Sequence, residues 1–120
     1  MPKLLTIDDE PGFTEMIKNF FEPRGYQVFT ADRGETGLEI AVKEEPDVTL
    51  VDYKMPGIHG DEVLTNIKEM KLKSKVIVIT AFQDDGKTRE RLLSLGAFAC
   101  LDKPLSSLKE LEEMVKKAIS

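Results

Sequence analysis

Val76, Ile77, Val78 and Ile79 form an apolar run with no polar position in it. Successive side chains of a strand point to opposite faces of its sheet, so a strand with one wet face alternates in polarity. An unbroken run needs cover on both faces, as a central parallel strand has when helices pack above and below it. The rest of the chain supplies the neighbours. Residues 4–7, 48–51 and 98–101 read as further strands, and residues 27–31 as a more polar one suited to a sheet edge. Between them run helix-period segments. Phe13, Met16, Ile17, Phe20 and Phe21 make one apolar stripe, stopped by Pro23 and Gly25. Residues 34–45 make the next, with Leu38, Ala41 and Val42 facing the core and Pro46 as terminator. Val63, Leu64 and Ile67 mark a helix over 61–70, and Gly96 closes one over 87–95. Leu108, Leu111, Val115 and Ile119 mark the last.

Five strand–helix pairs without a repeat or linker predict one α/β domain over residues 1–120, built on a parallel sheet. A chain of this length buries roughly two thirds of its unfolded surface, enough for one core. In such sheets ligands bind beyond the carboxyl ends of the strands. Asp8 and Asp9 follow the first strand, Asp52 ends the third, Thr80 ends the fourth and Lys103 follows the fifth. The topology therefore gathers them at one edge.

Each residue alone has a plain explanation. Asp8-Asp9-Glu10-Pro11 reads as a helix N-cap, Asp52 as a turn residue, Thr80 as a strand-end hydroxyl and Lys103 as a surface charge. Together they demand more. Three crowded carboxylates repel one another and raise each other's proton affinity unless a cation compensates. Lys103 supplies one positive charge, and Mg²⁺ suits the remaining oxygen donors. A hydroxyl and an ammonium beside that cation meet the needs of a phosphoryl group.

The chain resembles the receiver domain of two-component response regulators. The matching residues are Asp8-Asp9, Asp52 with Met55-Pro56 and Gly60, Thr80-Ala81, and Lys103-Pro104, in order along the whole chain. The resemblance implies a flavodoxin-like, doubly wound five-stranded parallel sheet of order 2-1-3-4-5 flanked by five helices. It implies that Asp52 accepts a phosphoryl group from a phosphohistidine of a sensor histidine kinase or histidine phosphotransfer protein. Asp9, Asp52 and the backbone carbonyl of Lys54 then bind Mg²⁺ directly, with Asp8 acting mainly through water. Lys103 pairs with a phosphoryl oxygen, while Thr80 bonds another and reports occupancy to the face of the fourth helix, fifth strand and fifth helix. The Lys103–Pro104 peptide is expected to be cis. The protein is then a signalling switch rather than a turnover enzyme, acting on an effector domain or downstream protein, with a phosphorylation-dependent dimer as one outcome. Two positions depart from or sharpen the family pattern. Cys100 stands where the family usually places the aromatic switch residue, and Phe82 is a bulky side chain expected to gate water at the acyl phosphate.

Other classes fit less well. Twenty-two acidic against seventeen basic residues give a net charge of −5, which disfavours direct nucleic-acid binding. One cysteine rules out an internal disulfide and a cysteine zinc cage, and no apolar stretch approaches a membrane span, so a cytoplasmic location is expected. A haloacid-dehalogenase-type phosphatase needs a second carboxylate where Lys54 stands, and a flavodoxin's phosphate loop is not acidic as Asp8-Asp9-Glu10 is. A non-phosphorylated adaptor has no need of the complete set. His59 reads as a turn residue, Asp102 as solvent-facing, the lysines 68, 71, 73 and 75 as a solvated loop far from the site, and most methionines as core filling. Residues 116–120 finish the last helix, which leaves open a single-domain regulator or the receiver of a longer one.

Overall fold

A computed structural model of the chain describes residues 1–81 and 84–120. The strands are β1 (Lys3–Ile7), β2 (Gln27–Ala31), β3 (Val48–Asp52), β4 (Lys75–Thr80) and β5 (Ala99–Asp102). The helices are α1 (Pro11–Phe21), α2 (Gly34–Glu44), α3 (Gly60–Glu69), α4 (Lys87–Ser94) and α5 (Leu108–Ile119), with one 3₁₀ turn at Glu22–Arg24. All four strand pairings are parallel and the order is β2-β1-β3-β4-β5. The more polar β2 lies at an edge, and the fully buried β3 and the apolar β4 lie inside.

Alternate strand residues feed two cores. Leu4, Leu50, Ile77 and Ile79 pack with Ile17 and Phe21 of α1 and Leu111 and Val115 of α5. Leu5, Ile7, Val51, Val76 and Val78 pack on the other face with Ala41 of α2, Val63, Leu64 and Ile67 of α3, and Leu92 of α4. Double cover explains why alternation is absent from the sequence of β4.

Val42 corrects the expected face of α2: it is exposed, while Gly34, Gly37 and Ala41 are the buried residues of that helix. The inward stripe is built on glycines, which an apolar-residue count overlooks. A Cβ on Gly37 would clash with the Ile7 side chain, so the glycine is what lets α2 sit this close to β1. The methionines are a second correction. Met55 is buried, but Met1 is exposed ahead of β1, and Met16 and Met70 are exposed because the stripes that bury Ile17 and Ile67 turn these neighbours toward water. Ile119 also stays exposed, in the last turn of α5.

Candidate functional site

The parallel ladder runs one residue past the strand ends and so fixes the edge. The Asp8 amide donates to the Ala31 carbonyl at 3.0 Å, Tyr53 to Ile79 at 2.8 Å, and Lys103 to Thr80 at 2.9 Å. Asp8, Asp52, Thr80 and Lys103 are thereby carried on rigid backbone at the carboxyl ends of β1, β3, β4 and β5. After Asp52 the chain folds back sharply: the Gly60 amide donates to the Tyr53 carbonyl at 2.7 Å. A Cβ on Gly60 would meet the Asp52 carbonyl oxygen at 2.7 Å, so only glycine allows α3 to start against the end of β3. Met55 is buried and pins the intervening loop.

Lys103 organises the carboxylates. Its Nζ donates to Asp8 Oδ2 at 2.8 Å and Glu10 Oε1 at 2.7 Å, and stands 3.6 Å from Asp52 Oδ2. It also lies 4.8 Å from the centroid of the Phe13 ring. Asp8 accepts on its other oxygen from the Glu10 amide at 2.9 Å. The Asp8 and Asp52 side chains are buried and Glu10's is exposed. The Lys103–Pro104 peptide is cis, as expected.

Electrostatics follow from this packing. Burial, then the charge of Asp8 and to a lesser degree those of Asp9 and Glu10, push the Asp52 carboxyl up to about 6 against the pull of Lys103. Burial acts to lower Lys103, but its bonds to Asp8 and Glu10 and the charge of Asp52 outweigh it, so the ammonium holds its proton more tightly than an ordinary lysine. The site thus joins a firmly cationic lysine to a carboxylate that resists ionisation. Adding a second cation would relieve that resistance.

Of the residues expected at the edge, Asp8, Asp52 and Lys103 are within direct reach of one another. Thr80 is buried at the end of β4, in register with Asp102 beside the lysine. Asp9 is exposed in the β1–α1 loop, and Lys54 is exposed after Tyr53. Phe82 lies outside the described residues. Asp102 is exposed, as expected. Glu10 is the residue that pattern reading passed over: it occupies the N-cap position of α1 but makes no side-chain capping bond, and its carboxylate turns to Lys103 instead. The acidic run Asp8-Asp9-Glu10 was the signal, but spacing alone does not say which carboxylate turns inward. Oxygens of Asp8, Glu10 and Asp52 lie within 4.8 Å of one another, hard donors of the kind that Mg²⁺ takes.

The comparisons with known proteins agree with this geometry. The response regulator receiver domain model matches residues 4–116, and the chain belongs to that family. It is 36% identical over 115 residues to sporulation initiation phosphotransferase F of Bacillus subtilis, covering 96% of this chain and 91% of that one. It is 33% identical to the alkaline phosphatase synthesis transcriptional regulatory protein PhoP of the same organism, covering 95% of this chain but 47% of the relative. Among solved structures, a receiver domain protein from Clostridium thermocellum matches with a TM-score of 0.91 and 32% identity, over 99% of this chain and 94% of that one. Response regulator TrrA from Thermotoga maritima, in complex with Mg²⁺-BeF, matches with a TM-score of 0.86 and 35% identity, over 98% and 99% of the two chains. The chain is a receiver domain of phosphorylation-dependent signalling, with an acidic cluster compatible with a phosphoacceptor site. Among the described residues, no helix is long and apolar enough to cross a membrane.

Proposed function

We propose that Asp52 is the phosphoacceptor, taking its phosphoryl group from the phosphohistidine of a sensor histidine kinase or histidine phosphotransfer protein in the cytoplasm. The observation that carries the reading is Asp52 itself: a buried carboxylate at the end of β3, 3.6 Å from Lys103 and grouped with Asp8 and Glu10. An Asp52 carboxylate oxygen attacks phosphorus, the electron pair of the breaking P–N bond leaves on the imidazole nitrogen, which takes a proton from water, and an acyl phosphate forms. Lys103 neutralises one phosphoryl oxygen and Thr80 donates a hydrogen bond to another. Asp8, Asp9, Asp52 and the Lys54 carbonyl are the groups that would hold Mg²⁺, and the acidic donors present suit it. When bound, the cation supplies charge neutralisation for the transferring group.

The product is a switch state rather than a released product. Lys54 stands two residues past Asp52, where hydrolytic turnover by the dehalogenase route requires an acid. Output then passes to a downstream protein or an effector domain through α4, β5 and α5. The test is labelling by a small phosphodonor such as acetyl phosphate. One phosphoryl group per chain, dependent on Mg²⁺ and lost in Asp52→Asn, is the expected result. Labelling that survives chelation and the substitution removes Asp52 from the reaction, and sustained phosphate release makes the protein a phosphatase.

A further inference from the structure

The Lys103 ammonium has three hydrogens, and two short bonds direct it toward carboxylates of the β1–α1 loop, Asp8 at 2.8 Å and Glu10 at 2.7 Å. Its 3.6 Å separation from Asp52 lies outside a direct hydrogen bond. Asp8 is buried and further fixed by the Glu10 amide, so its bond to Lys103 is part of the framework. Glu10 is different. Its side chain is 65% exposed and is not used to cap α1, yet it takes the shorter of the two lysine bonds.

From this geometry we infer that Glu10 is a positioning residue for phosphoryl transfer, holding Lys103 over the β1–α1 loop and releasing it to the phosphoryl group. The inference rests on Asp52 being the acceptor. Glu10 then has two effects of opposite sign. Its negative charge, within 4.8 Å of Asp8 and Asp52, strengthens attraction for a divalent cation. Its hold on Lys103 competes with the incoming phosphoryl oxygen for the same ammonium. An exposed pair is weak, so Glu10 tunes the transfer by a few-fold and does not block it.

Glu10→Gln keeps the shape and removes the charge at an exposed position, so the fold is retained. Three measurements read it: Mg²⁺ affinity from amide chemical shifts without a phosphodonor, the ¹⁵Nζ resonance of Lys103, and the acetyl phosphate labelling rate at saturating Mg²⁺. The expected result is Mg²⁺ affinity weakened roughly two- to fivefold and labelling accelerated by a similar factor, as exposed pairs allow. The Lys103 resonance should shift in the metal-free protein. In a Lys103→Met background, Glu10→Gln should still weaken Mg²⁺ binding but leave the rate unchanged. A fall in both affinity and rate, an unmoved lysine resonance, or acceleration that persists without Lys103 would overturn the proposal. If wild type is not labelled at Asp52, the acceptor reading fails instead, and the lysine resonance and Mg²⁺ titration still judge Glu10.

Discussion

Lys103 and Asp52 face each other at 3.6 Å, a charge pair with no direct hydrogen bond between them. The lysine's short bonds go elsewhere, so Asp52 gains only part of the Coulomb attraction and none of the bonding that usually lowers a carboxyl. Burial and the Asp8 charge prevail, and Asp52 rises from 3.8 to about 6. The arrangement suits a residue whose partners arrive later. An acceptor already tied to its lysine would have to break that bond before reacting.

The raised value fixes a pH dependence. Between 3.8 unfolded and about 6 folded, the folded protein holds a proton that the unfolded chain has lost. Stability from this group therefore falls as pH rises through that window and remains lower above it. The penalty at neutral pH is on the order of 2–3 kcal/mol. Asp52→Asn should relieve most of it, so metal-free urea melts should favour the variant at pH 7.5 and converge with wild type near pH 4. Asp9→Asn, at an exposed position, should relieve less. A wild type more stable than Asp52→Asn at pH 7.5 would refute the assignment.

Mg²⁺ should offset the same penalty. Binding only the folded state stabilises it by about 2.7 kcal/mol at a hundredfold excess over the dissociation constant. The melting temperature should climb with Mg²⁺ in wild type and climb less in Asp52→Asn, as scanning calorimetry would read. A flat profile across the titration counts against a preformed donor set.

The alternation of apolar runs and helix stripes made the five elements of each kind legible, because the inner strands are covered on both faces and each helix on one. The site was legible through topology, since Asp8, Asp52, Thr80 and Lys103 all sit at strand ends. What escaped were features that depend on rotation and reach. Gly37 faces the core where Val42 was expected, because close approach to Ile7 selects a glycine over a larger residue. Glu10 turns to Lys103, a contact across 93 positions that no local pattern encodes. The polar helix α4, with Leu92 its buried residue, gives little hint that its arginines reach back to β5 and to Tyr53, just past β3.

Thr80 and Lys103 should separate transfer from response. Both meet at the site, joined by the bond from the Lys103 amide to the Thr80 carbonyl, yet only Lys103 neutralises charge. Thr80→Ala should still be labelled but lose much of its phosphorylation-dependent change in partner binding. Lys103→Ala should slow labelling and impair the response, and by more than loss of an exposed lysine would, because Asp8 is left buried without its cation. Equal loss of labelling in the two variants would contradict the division.

Arg91 offers a second test of how α4 is coupled. Its Nη2 donates to the Tyr53 hydroxyl at 2.8 Å and to Asp61 Oδ2 at 2.9 Å, tying α4 to α3 and to the residue after Asp52. The pair is exposed enough that Arg91→Ala should cost less than about 1 kcal/mol of global stability. Hydrogen exchange should nevertheless show α4 amides opening more readily while β3 and β4 stay protected. Uniform loss of protection would make Arg91 a general stabiliser rather than a tether.

Cys100 tests how this receiver couples its two states. Burial pushes its thiol up, so it is a poor thiolate, and its carbonyl accepts from Arg89 Nη1 at 2.6 Å. A cavity of about 260 Å³ opens beside it, lined by Arg89, Leu101, Leu105, Leu111 and Met114. A ligand shifts a two-state equilibrium only through contacts that differ between the states. Cys100 is too small to fill space that a ring would fill, so packing at this position contributes little to the difference here. Thr80 and α4, anchored to β5 by Arg89, should carry the response instead. Cys100→Tyr adds a ring where Arg89 now closes against the strand, and should cost about 1–3 kcal/mol of stability through overpacking. The same ring should strengthen coupling between phosphorylation and partner binding while leaving Mg²⁺ affinity unchanged. Partner affinity with and without beryllofluoride, in wild type and Cys100→Tyr, reads the coupling directly. A larger beryllofluoride-dependent change in wild type would mean that the small residue at position 100 does not limit the switch.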